Sequence, residues 1–123
     1  MEKPVATEAQ EQASVISWWR YACRIYGVPE CSLLHIANEG TGSAARGRLQ
    51  KRQGVRAGVS DLFLSVPRGE FSGLWIEMKR KGGRVRPEQR EFLRNMQALG
   101  YEGVVCHGAD EARAVITAYM TQV

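Results

Sequence analysis

Two short apolar runs, "DLFLSV" at 61–66 and "GLWIEMK" at 73–79, flank the turn-rich segment "PRGEFS" and constrain the fold more than any other feature. Runs of this length bounded by Gly, Pro and Ser read as strands, and the short connection predicts an antiparallel hairpin. Charges are written into both: Asp61 opens the first run, and Glu77 and Lys79 belong to the second. Charged side chains are almost never fully buried unless they are paired or bind something, so these three need a partner. Period-two alternation puts Trp75, Glu77 and Lys79 on one face of their strand and Leu74, Ile76 and Met78 on the other. Asp61 and Glu77 lie eight residues on either side of Gly69. A hairpin centred there sets the two carboxylates side by side, with the Lys79 ammonium at the same end.

The rest of the chain supplies helices around such a hairpin. Residues 8–26 follow helical spacing, with Val15, Trp18, Trp19, Ala22 and Ile25 forming a wide apolar stripe, and "YGVPE" ends the helix. "SLLHIA" reads as a first strand. The Gly- and Arg-rich stretch that follows is too long for a tight turn and too polar for a core element, so residues 39–57 are expected to be a mobile basic loop. "PEQREFLRNMQALG" predicts a helix opening at Pro87, carrying Phe92, Leu93, Met96 and Leu99 on one face and stopping at Gly100. "EGVVCH" is a further strand and "DEARAVITAYM" a last helix. The order α-β-β-β-α-β-α over 123 residues predicts one α/β domain, a small mixed sheet flanked by helices, with residues 1–7 as a flexible tail.

Charge is segregated along this order. Residues 46–94 hold 13 of the 17 Lys and Arg against five Asp and Glu, a local +8, whereas the remainder carries four against eight, a local −4. Such a distribution suggests a basic surface facing a polyanion, although a run of charge is more commonly a solvated face. The three cysteines, Cys23, Cys31 and Cys106, form no CxxC pair and argue against a disulfide framework or structural zinc. With no apolar run near the roughly 20 residues that cross a bilayer, and no signal peptide in "MEKPVATEAQEQ", a soluble protein of the reducing cytoplasm is expected.

Adjacent carboxylates repel, and one takes up a proton unless a cation lies between them. A hard divalent ion removes that cost: Mg²⁺ binds through one or two carboxylates, keeps several waters and completes its shell with phosphate oxygens. Lys79 would then be placed to stabilise charge on a phosphodiester or to help deprotonate an attacking water. The competing interpretation is a Glu77–Lys79 or Asp61–Lys79 salt bridge on an exposed sheet face. The surrounding basic field favours the metal, because an anionic metal site within positive potential suits an enzyme that cuts nucleic acid.

"GVSDLFLSV", "LWIEMK" and "GGRVRPEQREFLRNMQALGYEGVVC" resemble the VRR-NUC nucleases of the PD-(D/E)XK superfamily, a family with small stand-alone bacterial and phage members. The shared pattern falls on Gly58, Ser60, Asp61, Glu77, Lys79, Gly83, Arg84, Pro87 and Gln89, preceded by Glu8 and Gln12 on the first helix. The eponymous VRR tripeptide is absent, with "GVRAGVS" in its place. The resemblance implies a restriction-endonuclease-like fold with an α-β-β-β-α-β core. It further implies metal ligation by Asp61, Glu77 and the Met78 carbonyl, with Lys79 completing the signature and Gln89 orienting water, metal or phosphate from the helix behind. Glu8 is the preferred N-terminal acid, with Glu11 as its substitute. The cofactor implied is Mg²⁺, with Mn²⁺ replacing it.

The implied activity is that of a structure-selective DNA endonuclease acting as a homodimer on four-way junctions in a bacterial cell or in the cytoplasm of a phage-infected host. Alternatives are a nicking, flap or restriction-type nuclease, and a non-catalytic basic module. Arg46, Arg48, Lys51, Arg52 and Arg56, with Arg80, Lys81, Arg84 and Arg86, are the candidate DNA contacts. His35 and His107 are isolated and read as core or edge histidines. Trp18 and Trp19, at helical spacing, read as core.

Overall fold

Helix α1, Glu8–Ile25, begins with a reciprocal cap: Gln10 N–H donates to Thr7 Oγ1 (3.1 Å), and Thr7 N–H donates to Gln10 Oε1 (2.9 Å). In the computed structural model, which describes residues 4–37 and 44–122, this helix is followed by a single 3₁₀ turn and strand β1, Leu33–His35. Helix α2 spans Ala44–Arg52, and strands β2 (Leu62–Leu64) and β3 (Leu74–Lys79) follow. Helix α3 (Pro87–Ala98), strand β4 (Glu102–His107) and helix α4 (Ala109–Met120) complete the chain. The strands form one mixed sheet in the order β1-β2-β3-β4, antiparallel except for the parallel pair β3–β4. The α3 crossover makes that parallel pairing feasible.

The predicted hairpin is present in the expected register. Leu62 faces Ile76, Phe63 faces Trp75 and Leu64 faces Leu74, so one further step along the ladder sets Asp61 opposite Glu77. β3 lies between β2 and β4 and is covered on both faces. Leu74, Ile76 and Met78 join Val15 and Trp19 of α1 and Ala112, Ile116 and Tyr119 of α4 in the main core. On the opposite face Trp75 stacks on Phe63 (4.4 Å between ring centroids) and meets Phe92 of α3 edge-on (5.0 Å, 85°).

Three sequence expectations need correction. The segment read as a loop contains α2, because Ala, Arg, Leu, Gln and Lys are good helix formers even without an apolar face; residues 39–43 lie outside the described residues. Ile25 does not extend the buried stripe of α1 but is 82% exposed, and Leu99 at the end of α3 is 68% exposed. Ile25 is the last residue of α1 and Leu99 the C-cap of α3, so helical spacing continues to the end of each helix without burial there. Trp19 is buried as expected, and its indole N–H donates to the Glu30 carbonyl at 3.0 Å.

Candidate functional site

At the end of the β2–β3 ladder the backbone runs out of partners and side chains replace them. Met78 N–H donates to Asp61 Oδ2 at 2.8 Å, while Ile36 N–H donates to the Asp61 carbonyl at 2.8 Å. Asp61 is thereby fixed by both neighbouring strands. Gly58, three residues earlier, makes the approach feasible: its φ is +87°, and a Cβ there would lie 2.5 Å from the Glu88 carbonyl oxygen of α3. No other residue type fits that passage without moving the helix.

Glu77 and Lys79 are not on an exposed sheet face. They are 2% and 6% exposed: α3 covers the same face at Trp75, and Glu8 of α1 reaches Lys79 at the end of the strand. The Glu77 carboxyl is hydrogen-bonded to the Asp61 side chain, and its pKa is pushed up to about 8, first by burial, then by that bond and by Asp61's charge, with Lys79 opposing. Two carboxyl groups can share a hydrogen bond only if a proton lies between them. Glu77 Oε1 is buried without a hydrogen-bond partner among the described residues, as is Ser60 Oγ next to Asp61. Lys79 Nζ lies 3.7 Å from Glu77 Oε2 and 3.9 Å from Glu8 Oε1.

The structure separates the two glutamates of the first turn of α1. Glu8 reaches the Lys79 side of the corner. Glu11 instead accepts the Ala109 N–H at 2.6 Å, capping α4, and the adjacent Gly108 N–H donates to the Lys79 carbonyl at 2.9 Å. Glu11 therefore closes a brace between α1, α4 and the end of β3, which holds Glu8 one turn away over Lys79.

Glu8, Ala9, Gln12, His35, Ile36, Ala37, Asp61 and Met78 line one cleft of ≈ 330 Å³. His35, read from sequence as a core or edge histidine, sits on the edge strand but also on this cleft, where its Nδ1 donates to the Asp61 carbonyl at 3.0 Å. Only the β1–β2 register reveals this, and an isolated His carries no sequence signal for it. Gln89, expected to orient a ligand from behind, is buried, and its Oε1 accepts the Arg86 N–H at 2.9 Å. It caps α3 on the face shared with Phe92 and Leu93. Arg80, Lys81, Arg84 and Arg86 are exposed around the turn that leaves β3 directly after Lys79, and Arg48, Lys51, Arg52 and Arg56 are exposed on and after α2. Arg46 belongs to α2 as well.

Among the described residues no three His, Cys, Asp or Glu side chains form a metal-binding group. The corner offers two carboxyls, one of which keeps a buried oxygen without a partner among the described residues, all hard oxygen donors of the kind that bind alkaline-earth ions when water fills the other positions.

A four-stranded mixed sheet between α1 and α4 on one face and α3 on the other, with acids at the end of its central hairpin, defines a restriction-endonuclease-like α/β domain. The VRR-NUC domain profile matches residues 6–110. A solved structure described as a VRR_NUC domain protein superimposes with TM-score 0.79 at 30% identity, covering 97% of this chain and 93% of that one. No match is found among the curated proteins. The chain belongs to the VRR-NUC nuclease family of the PD-(D/E)XK-like superfamily, and nuclease activity is the function that membership supports. Among the described residues no helix is long and apolar enough to cross a membrane.

Proposed function

We propose that the protein is a Mg²⁺-dependent, structure-selective DNA endonuclease, active as a homodimer, whose leading substrate is the four-way junction. The observation that carries this reading is the pairing of buried Glu77 with the half-buried Asp61 that lines the cleft, which needs a proton or a cation between the carboxyls, with the Lys79 ammonium 3.7 Å from Glu77. Asp61, Glu77 and the Met78 carbonyl would hold the ion, and Mn²⁺ would substitute for Mg²⁺. Bound there, the ion would polarise the phosphodiester and lower the pKa of an attacking water. Lys79 contributes a positive charge where negative charge develops on the phosphoryl oxygens, in a pocket too buried for water to screen it. Glu8 opposes Lys79 from α1 and limits where its ammonium can move. The exposed arginines and lysines on both sides of the corner bind flanking phosphates and carry no sequence information.

Two cuts at symmetric positions on a four-way junction require two active sites related by a two-fold axis, which is the reason for proposing a dimer. The experiment is cleavage of an immobile four-way junction, a flap and a linear duplex, with and without Mg²⁺. Paired, Mg²⁺-dependent cuts near the branch point are the expected result. Preferential cutting of flap or duplex would transfer the activity to another nuclease class, and DNA binding that is indifferent to Mg²⁺ without cleavage would leave only a basic binding module.

A further inference from the structure

A second and larger cleft, of ≈ 500 Å³, is formed by Lys51, Gly54, Val55, Arg56 and Ala57 on one wall and by Glu88, Glu91, Phe92 and Asn95 of α3 on the other. Its volume falls in the range of small-ligand sites. Gly58, pressed against Glu88, ends the first wall, and Asp61 follows three residues later. Four residues of extended chain, from Ala57 to Asp61, reach at most about 14 Å, or about four nucleotides at 3.4 Å rise per nucleotide.

The lining has mixed chemistry. Phe92 is half-buried, and its edge-on contact with Trp75 at 5.0 Å fixes its ring. Glu88 is paired with Arg86 (3.5 Å), whereas no side-chain hydrogen bond or ion pair is formed by Glu91, Asn95, Lys51 or Arg56 among the described residues. A free phosphate would meet the two cations but also two carboxylates, and a purely apolar ligand would leave four polar groups unanswered. A nucleobase satisfies all of them: its π face suits Phe92, its N–H groups suit the Glu91 carboxylate, its acceptors suit the Asn95 amide, and the phosphates on either side remain with Lys51 and Arg56.

We propose that this cleft receives one unpaired base of the DNA substrate, within about four nucleotides of the bond to be cut, and so makes the enzyme sensitive to strand opening. A paired base cannot present its hydrogen-bonding edge and both faces to such a site, so a single-stranded or branched position is selected over intact duplex. The proposal rests on the DNA-nuclease reading above, and its test separates the two.

Equilibrium binding is measured in Ca²⁺ with the full chain, using duplexes that carry one unpaired 2-aminopurine at successive positions along an otherwise fixed sequence, and matching duplexes with an abasic site there. At one position the fluorescence should change on binding. Phe92→Leu, Glu91→Gln and Asn95→Ala should each abolish that change and weaken binding to the base-containing DNA about tenfold, while binding to the abasic DNA stays within about twofold of wild type. The exposed Glu91→Gln and Asn95→Ala variants keep the test valid if Phe92→Leu folds poorly. Equal weakening on base-containing and abasic DNA, or no change on either, would overturn the proposal while leaving cleavage at Asp61 and Glu77 intact. A wild type that cuts no DNA with Mg²⁺ yet shows the base-dependent losses would sustain the cleft and refute the nuclease reading.

Discussion

Glu11, half-buried, and Glu77, buried, both turn toward neighbouring elements, and the protein treats them in opposite ways. Glu11 meets the N-terminus of α4, where the Ala109 N–H and the helix dipole answer its charge. Glu77 meets Asp61, another acid, and retains a buried oxygen that nothing answers among the described residues. A carboxylate satisfied by its own chain holds elements together. A pair of carboxyls that satisfy each other only through a proton costs stability and is available to something outside the chain. The distance between the two regions is short, since Gly108 N–H bonds the Lys79 carbonyl, so the brace at Glu11 also fixes the frame in which the unsatisfied pair works.

The largest expected effect falls on the unsatisfied pair. Asp61→Asn or Glu77→Gln should reduce Mg²⁺-dependent cleavage to background, because a ligand charge is removed, while circular dichroism and DNA affinity in Ca²⁺ stay near wild type. Cleavage retained by either variant would dissolve the distinction between the two regions.

Lys79 sharpens it next. If the ammonium acts by its field, Lys79→Arg should keep measurable single-turnover cleavage and Lys79→Met should not, since guanidinium preserves the charge but misplaces it. Equal loss in both, together with disappearance of a basic limb in the pH profile, would assign Lys79 to proton transfer instead, because arginine does not deprotonate in proteins.

Glu11 should behave in the reverse sense. Glu11→Ala removes a charged acceptor from a buried helix end and should lower unfolding stability by about 2 kcal/mol. Glu8→Ala, at a half-exposed position one turn away, should change it by less than about 0.5 kcal/mol. Urea unfolding of the two variants decides this, and equal costs would place Glu8 within the brace.

The smallest effect concerns the exposed basic surface. Arg48→Gln combined with Arg52→Gln should lower the slope of log K against log salt by about 0.9 for each duplex phosphate that the variant no longer neutralises. An unchanged slope and affinity would mean that this face of α2 is merely solvated.

Much of the Asp61–Glu77 corner is legible in the sequence because a hairpin register is arithmetic. With Gly69 as the centre, the positions of Asp61 and Glu77 follow, and the observed Leu62–Ile76 pairing has the same centre. The burial of Lys79 and Glu77 is not legible, since it depends on elements distant in sequence, α1 with Glu8 among them, closing over the end of β3, a tertiary event with no local signature. α2 escapes a reading by pattern for the complementary reason: its helical propensity is real, but no apolar stripe announces it. Gln89 is expected from the resemblance to orient a ligand, and the structure gives its oxygen to the Arg86 N–H. In the sequence only helical angle distinguishes Glu8 from Glu11, whereas the bond that occupies Glu11 comes from Ala109, 98 residues away along the chain.

A divalent cation is expected to replace the proton shared by Asp61 and Glu77, and calorimetric titration with Mn²⁺ in buffers of different ionisation heat detects that exchange. With the Glu77 pKa at about 8, the carboxyl is protonated at pH 7, so cation binding must expel that proton. Release of about one proton at pH 7 is expected, with an apparent association constant that rises about tenfold per pH unit below pH 8 and levels off above it. Glu77→Gln should abolish the proton release. Mn²⁺ binding that releases no proton and is independent of pH, or no binding at all, would show that no cation takes the proton's place.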